Sequence, residues 1–217
     1  TTGSYNTAVG YLALSTEDGH GYNTAIGREA LKSLNAGADA ANVAVGMQAG
    51  AEMTTGIRNT LVGTYAGDAL AGGSHNVAIG TYALSTEDTH GKNVAIGYSA
   101  LIVQDAGADA YNVAVGYNAG QAVSTGVRNV IVGGSAGDAI TTGANNTAIG
   151  HEALGGEDTG SKNTAVGAYA LQDANYDGDG HNTAVGYVAG AEITTARYNT
   201  ILGSLAGDAL TTGAENV

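Results

Sequence analysis

NTAVGYLAL, Asn6 to Leu14, returns as NTAIGREAL, Asn23 to Leu31. Aligned on that opening asparagine, the chain carries Asn6, Asn23, Asn42, Asn59, Asn76, Asn93, Asn112, Asn129, Asn146, Asn163, Asn182, Asn199 and Asn216, at steps of 17, 19, 17 and 17 residues that recur three times. A second period of 70 residues lies over the first: residues 6–75 and 76–145 are identical at 40 of 70 positions. Nested, fixed self-similarity of this kind is the signature of a solenoid, in which each short unit buries its apolar side against the next. The organisation predicted is three blocks, 6–75, 76–145 and 146–215, flanked by 1–5 as the tail of one coil and 216–217 as the start of another. Both ends fall in mid-pattern, which leads us to expect an excerpt of a longer repeat array.

Counting the asparagine as column 1, column 5 is always glycine, from Gly10 to Gly203, and column 8 always alanine, from Ala13 to Ala206. Column 4 is always Val, Ile or Leu. A unit of 17 residues is too short for a helical hairpin, and its apolar residues do not recur at helical spacing. NTAVG and NVAIG therefore read as one short strand running into a turn. Stacked in parallel at about 4.8 Å, such strands turn every column into a ladder. The twelve asparagines from Asn6 to Asn199 are expected to bond through their amides to the copies above and below. The column 5 glycines are expected at tight corners with positive φ.

Column 9 describes how the core is filled. It reads Leu14, Leu31, Gly50, Gly67 in the first block and repeats that order in the other two. Where leucine is lost, column 12 supplies Met53, Leu70, Val123, Ile140, Ile193 or Leu210. The fold class predicted is all-β, a parallel β-solenoid of about twelve coils of 17–19 residues. Because neighbouring strand residues face opposite ways, apolar columns 3 and 4 imply that both faces are covered, one by the coil's own core and the other by an identical chain.

Composition narrows the function. Pro, Cys, Trp and Phe are absent, so the core is thin and built from Ala, Val, Ile and Leu, and thiolate metal sites are excluded. A net charge of −13 removes the attraction on which nucleic-acid binding depends and is repelled by anionic membranes. There is no apolar run of membrane-spanning length and no leader; no membrane insertion is expected.

The units NTAVGYLAL, NTAIGREAL, NVAVGMQAG and NVAIGYSAL resemble the YadA-like head repeats of trimeric autotransporter adhesins. They are also similar to the NTAVG repeats of phage tail-fibre and surface-fibre proteins, often with TTG before the asparagine, as in TTGSYN and TTGANN here. This resemblance covers essentially the whole chain. It implies a left-handed β-roll, three identical chains side by side, and surface attachment at a cell surface or on a virion.

Candidate chemistry is sparse. The acid pairs Glu17-Asp18, Glu87-Asp88 and Glu157-Asp158 recur one block apart, about 19 Å by stacking, too far to act together as a glycosidase pair. They are expected in solvated loops. Histidines His20, His75, His90, His151 and His181 lack a paired metal-ligand spacing and are expected on the surface. NYDGDGHN, from Asn175 to Asn182, sets Asp177 and Asp179 among glycines as hard-cation loops do, and calcium is the one metal this suggests. No cofactor is otherwise expected. Tyr11, Tyr65, Tyr82, Tyr98, Tyr117, Tyr169 and Tyr187, just after the glycine corner, are candidates for contact with a glycan or a partner protein. The expectation is a non-enzymatic, adhesive fibre segment. A virion tail-fibre shaft is the alternative, with a polysaccharide-processing β-helix and an ice-binding solenoid below it; the threonines needed for ice alternate with valine in column 2.

Overall fold

A computed structural model describes residues 3–17, 19, 21–86 and 89–217. Twelve three-residue strands stand one per repeat. Residues 1–111 form one compact unit and 112–217 a second. The first holds β1 (Thr7–Val9), β2 (Thr24–Ile26), β3 (Val43–Val45), β4 (Thr60–Val62), β5 (Val77–Ile79) and β6 (Val94–Ile96). The second holds β7 (Val113–Val115), β8 (Val130–Val132), β9 (Thr147–Ile149), β10 (Thr164–Val166), β11 (Thr183–Val185) and β12 (Thr200–Leu202). Within each unit every strand pairs in parallel with the next in sequence, column over column, as in Thr24↔Val43, Ala25↔Ala44 and Ile26↔Val45. No helix occurs among the described residues. The protein is a parallel β-solenoid.

The strand periodicity sets the faces. Column 3 points inward: Ala25, Ala44, Leu61, Ala78 and Ala95 are fully buried in the first unit, as are Ala114, Ile131, Ala148, Ala165 and Ala184 in the second. Columns 2 and 4 point outward.

Corners are made by left-handed backbone. Beyond glycine, positive φ occurs in three columns: the residue before each asparagine, column 7, and column 9 where it is leucine, such as Leu31 (φ 49°) and Leu84 (φ 51°). A leucine held there costs about 1–2 kcal/mol, which burial of its side chain, worth about 1.5–3 kcal/mol, offsets. Where that space is already filled, glycine replaces it. A Cβ on Gly50 would lie 2.8 Å from Leu61 Cδ1 and 2.9 Å from Leu31 Cδ2. The exchange of bulk between columns 9 and 12 follows, since Met53 Cε also stands 3.1 Å from that point. Column 5 is glycine for two reasons: Gly27 has φ 137°, and a Cβ there would be 2.3 Å from the carbonyl oxygen of Gly46 in the next coil.

The asparagine ladder differs in kind from the amide-to-amide stack expected. Each Oδ1 accepts the backbone N–H of the next asparagine, as from Asn23 to Asn6 (2.9 Å) and from Asn129 to Asn112 (2.8 Å). The side-chain Nδ2 mostly donates across its own coil, from Asn42 to Gly56 O (2.9 Å) and from Asn146 to Gly160 O (2.8 Å). Amide-to-amide bonds are seen at Asn163–Asn146 (3.2 Å), Asn199–Asn182 (3.1 Å) and Asn216–Asn199 (2.8 Å). The cause is the left-handed residue before each asparagine. It places the asparagine N–H ahead of the strand ladder, where a buried donor needs another acceptor, and the neighbouring side chain supplies it.

Candidate functional site

The outward side of the strands is the largest chemically uniform surface. In both units every column 2 and column 4 residue of the strands is Thr, Val, Ile or Leu. No charge interrupts the face. Val9, Ile26, Val43 and Ile79 remain exposed in the first unit, and Val130, Ile149 and Leu202 in the second. In-register pairing lines these side chains up in rows at the strand spacing, about 4.8 Å. Sequence reasoning placed column 4 on the outer face; the structure adds column 2 beside it and leaves column 3 as the inner one.

A second feature follows the glycine corner. Tyr65 and Tyr82 stack with ring centroids 5.2 Å apart and planes 4° from parallel, and Tyr98 meets Tyr82 edge-on at 6.2 Å. In the second unit His151, Tyr169 and Tyr187 form a similar edge-on chain at 5.4 and 6.1 Å. Tyr11 and Tyr117 are more than half exposed, and neither belongs to these ring clusters. The same corner in the second coil carries Glu29, which accepts from Gln48 Nε2 (2.6 Å) and pairs with Arg28 (3.0 Å). Those bonds hold its carboxyl below the usual range.

The recurrent acids are a correction. Glu17 and Glu157 are not solvated: both are almost completely buried. Each turns inward to take a backbone donor, Gly19 N–H at 3.3 Å for Glu17 and Gly160 N–H at 2.6 Å for Glu157. Burial pushes the Glu157 carboxyl up to about 7, and its Oε2 is buried without a hydrogen-bond partner. Asp18, Glu87 and Asp88 lie outside the described residues, as does His20. His75, His151 and His181 are exposed, and His90 is half-buried.

At the calcium candidate the two carboxylates turn to protein partners. Asp179 Oδ2 pairs with Lys162 Nζ at 2.6 Å, and Asp177 Oδ1 accepts from Thr159 Oγ1 at 3.1 Å. Among the described residues no three His, Cys, Asp or Glu side chains converge as a metal site.

One cavity was not anticipated. In the second unit Asp138, Glu152, Gly155, Gly156, Gln172 and Asp173 line a pocket of about 280 Å³. Gln172 Nε2 donates to Glu152 Oε2 at 2.9 Å, and burial together with Glu152 raises the Asp138 carboxyl. A comparison at the 70-residue period would have found it, because the equivalents in the first unit are Asp68, Tyr82, Ile102 and Val103. The pocket is a place where the repeat changes its chemistry.

Comparisons with protein-family models, with characterised proteins and with solved structures find no match to this chain. Among the described residues no helix is long and apolar enough to cross a membrane.

Proposed function

We propose that this chain is a repeat segment of an extracellular fibre, on a cell surface or a virion, that extends by coil stacking and associates side by side with identical chains. Its function is mechanical reach and surface attachment, without catalysis. One observation carries the association: both outward columns of every strand are Thr, Val, Ile or Leu, a continuous uncharged face within each unit. Repetition of that row from coil to coil suits a partner with the same repeat, because each added coil adds the same increment of apolar contact. Three chains follow from the resemblance to adhesin heads. A surface glycan or protein is the distal partner.

The test is the mass in solution at micromolar concentration, measured by sedimentation. A particle of several chains is expected, three on this reading. Placing lysine at Ile79 and Ile96, on adjacent strands of the outward face, should dissociate it while the β-type circular dichroism persists. A wild-type particle containing a single chain sinks the proposal. For the non-enzymatic part, new reducing ends after incubation with cell-surface polysaccharide would overturn it.

A further inference from the structure

The residue before each asparagine forms a ladder that nothing above has used. In the first unit it comprises Tyr5, Tyr22, Arg58, His75, Lys92 and Tyr111, with Ala41 the one small member. All seven have φ between 52° and 64°, and all are exposed. Glycine suits such backbone best, and this chain uses glycine freely in column 9, yet never once in this column. Large planar or cationic side chains are therefore kept where the backbone favours none and where no burial compensates.

These side chains are ordered against one another. Tyr5 and Tyr22 stack at 5.0 Å, 14° from parallel. Arg58 Nη1 lies 3.3 Å from His75 Nε2. Lys92 Nζ sits 5.0 Å from the Tyr111 ring centre and bonds to its hydroxyl at 3.0 Å. The Lys92 charge is matched by Asp109 at 2.5 Å, which holds the lysine ammonium protonated well above its usual range. The ladder is thus aromatic along its length with isolated rather than continuous positive charge.

The geometry points to this ladder as a binding track for a glycan strand bearing spaced carboxylates, a uronic-acid polymer. Tyrosine offers an apolar ring with a polar tip, which matches a sugar ring's C–H face and hydroxyl edge. Arginine offers the planar fork that grips a carboxylate. A nucleic acid fits worse: its phosphates need a run of unmatched cations, and here Lys92 is already paired in a chain of net charge −13. The proposal rests on the adhesive reading above and gives it a ligand class.

The experiment titrates the intact protein, by calorimetry, with oligogalacturonate, a neutral galactan oligomer of equal length and single-stranded oligothymidylate. Sedimentation of the same samples is run alongside. Binding of the uronate oligomer alone is expected, with affinity falling at least tenfold in Arg58→Gly and in Tyr22→Gly, both compatible with the local backbone. Lys32→Ala removes the same charge off the ladder and should leave affinity unchanged. Failure of the wild type to bind the uronate overturns the track, as does equal binding of the neutral glycan or the DNA. A change of particle mass in Arg58→Gly would make the ladder an interface rim instead and also overturns it. An unbound protein that is still a multi-chain particle rejects this inference while leaving the fibre reading standing.

Discussion

Residues 1–111 and 112–217 follow one coil plan, yet they treat the interior of the 19-residue coil differently. In the first unit the positions thirteen and seventeen residues after Asn93 are Ala106 and Ala110; in the second, after Asn163, they are Tyr176 and Gly180. Tyr176 is buried, donates from its hydroxyl to Asn163 Oδ1 at 2.5 Å and accepts from Asn182 Nδ2 at 3.1 Å. Gly180 makes room for it, since a Cβ there would stand 2.2 Å from Tyr176 Cε2. Outside, Arg197 lies 5.7 Å from the same ring centre, where the other two blocks have Ile57 and Val127. The lesson is that a repeat tolerates a large change inside one coil when two or three neighbours change together.

The most severe way to break that comparison is Tyr176→Ala. It should cost about 4 kcal/mol in urea-induced unfolding, from the cavity and from two buried amides losing a partner. Adding Gly180→Ala recreates the alanine pair of the first unit and should recover most of the loss, although Gly180→Ala alone destabilises through overpacking. A double-mutant cycle showing no coupling between the two positions would refute the compensation.

Next in size is the pH response of the second unit. Glu157 has an ordinary value of 4.5 and is held at about 7 by burial. Between those values the folded protein binds the proton that the unfolded chain has lost, so this group's contribution is greatest below pH 4.5 and falls as pH rises. The loss should approach about 3 kcal/mol once pH exceeds 7. Glu157→Gln removes this component, and unfolding midpoints at pH 4.5 and 8 compared between wild type and variant measure it. An unchanged difference between the two pH values would show that the carboxyl is not desolvated.

The smallest effect examines what the units share. Gly50→Ala in the first and Gly190→Ala in the second should each cost about 2 kcal/mol, because each Cβ meets apolar side chains at 2.8–3.1 Å on left-handed backbone. Similar urea midpoints for the two variants are expected; a large disparity would mean the units do not pack column 9 alike.

Much of the architecture is legible in the letters. Asparagine, glycine and alanine at invariant columns announce stacking, and the exchange of Leu31 for Met53 announces a shared core volume, because identical backbones must fill identical space. The candidate face was half legible. Valine and isoleucine in column 4 marked a second apolar side, but column 2 mixes Thr with Val, and its direction depends on where the three-residue strand begins. Glu17 and Glu157 were misleading for a physical reason: acids beside turn residues are normally solvated, and only the backbone donors of Gly19 and Gly160 turn these two inward. The Tyr176–Gly180 compensation was invisible because the partners are four residues apart and meet only once the coil closes.

By itself, then, the sequence determined the coil length, the order of the columns and the parallel stack, since periodicity translates directly into register. The tertiary structure decided which side of each column faces out, how the asparagine bonds are routed, and that a left-handed corner before every asparagine displays tyrosine, arginine and lysine in one row. Those outcomes depend on dihedral angles and on atoms brought together across coils, which a one-dimensional pattern does not contain.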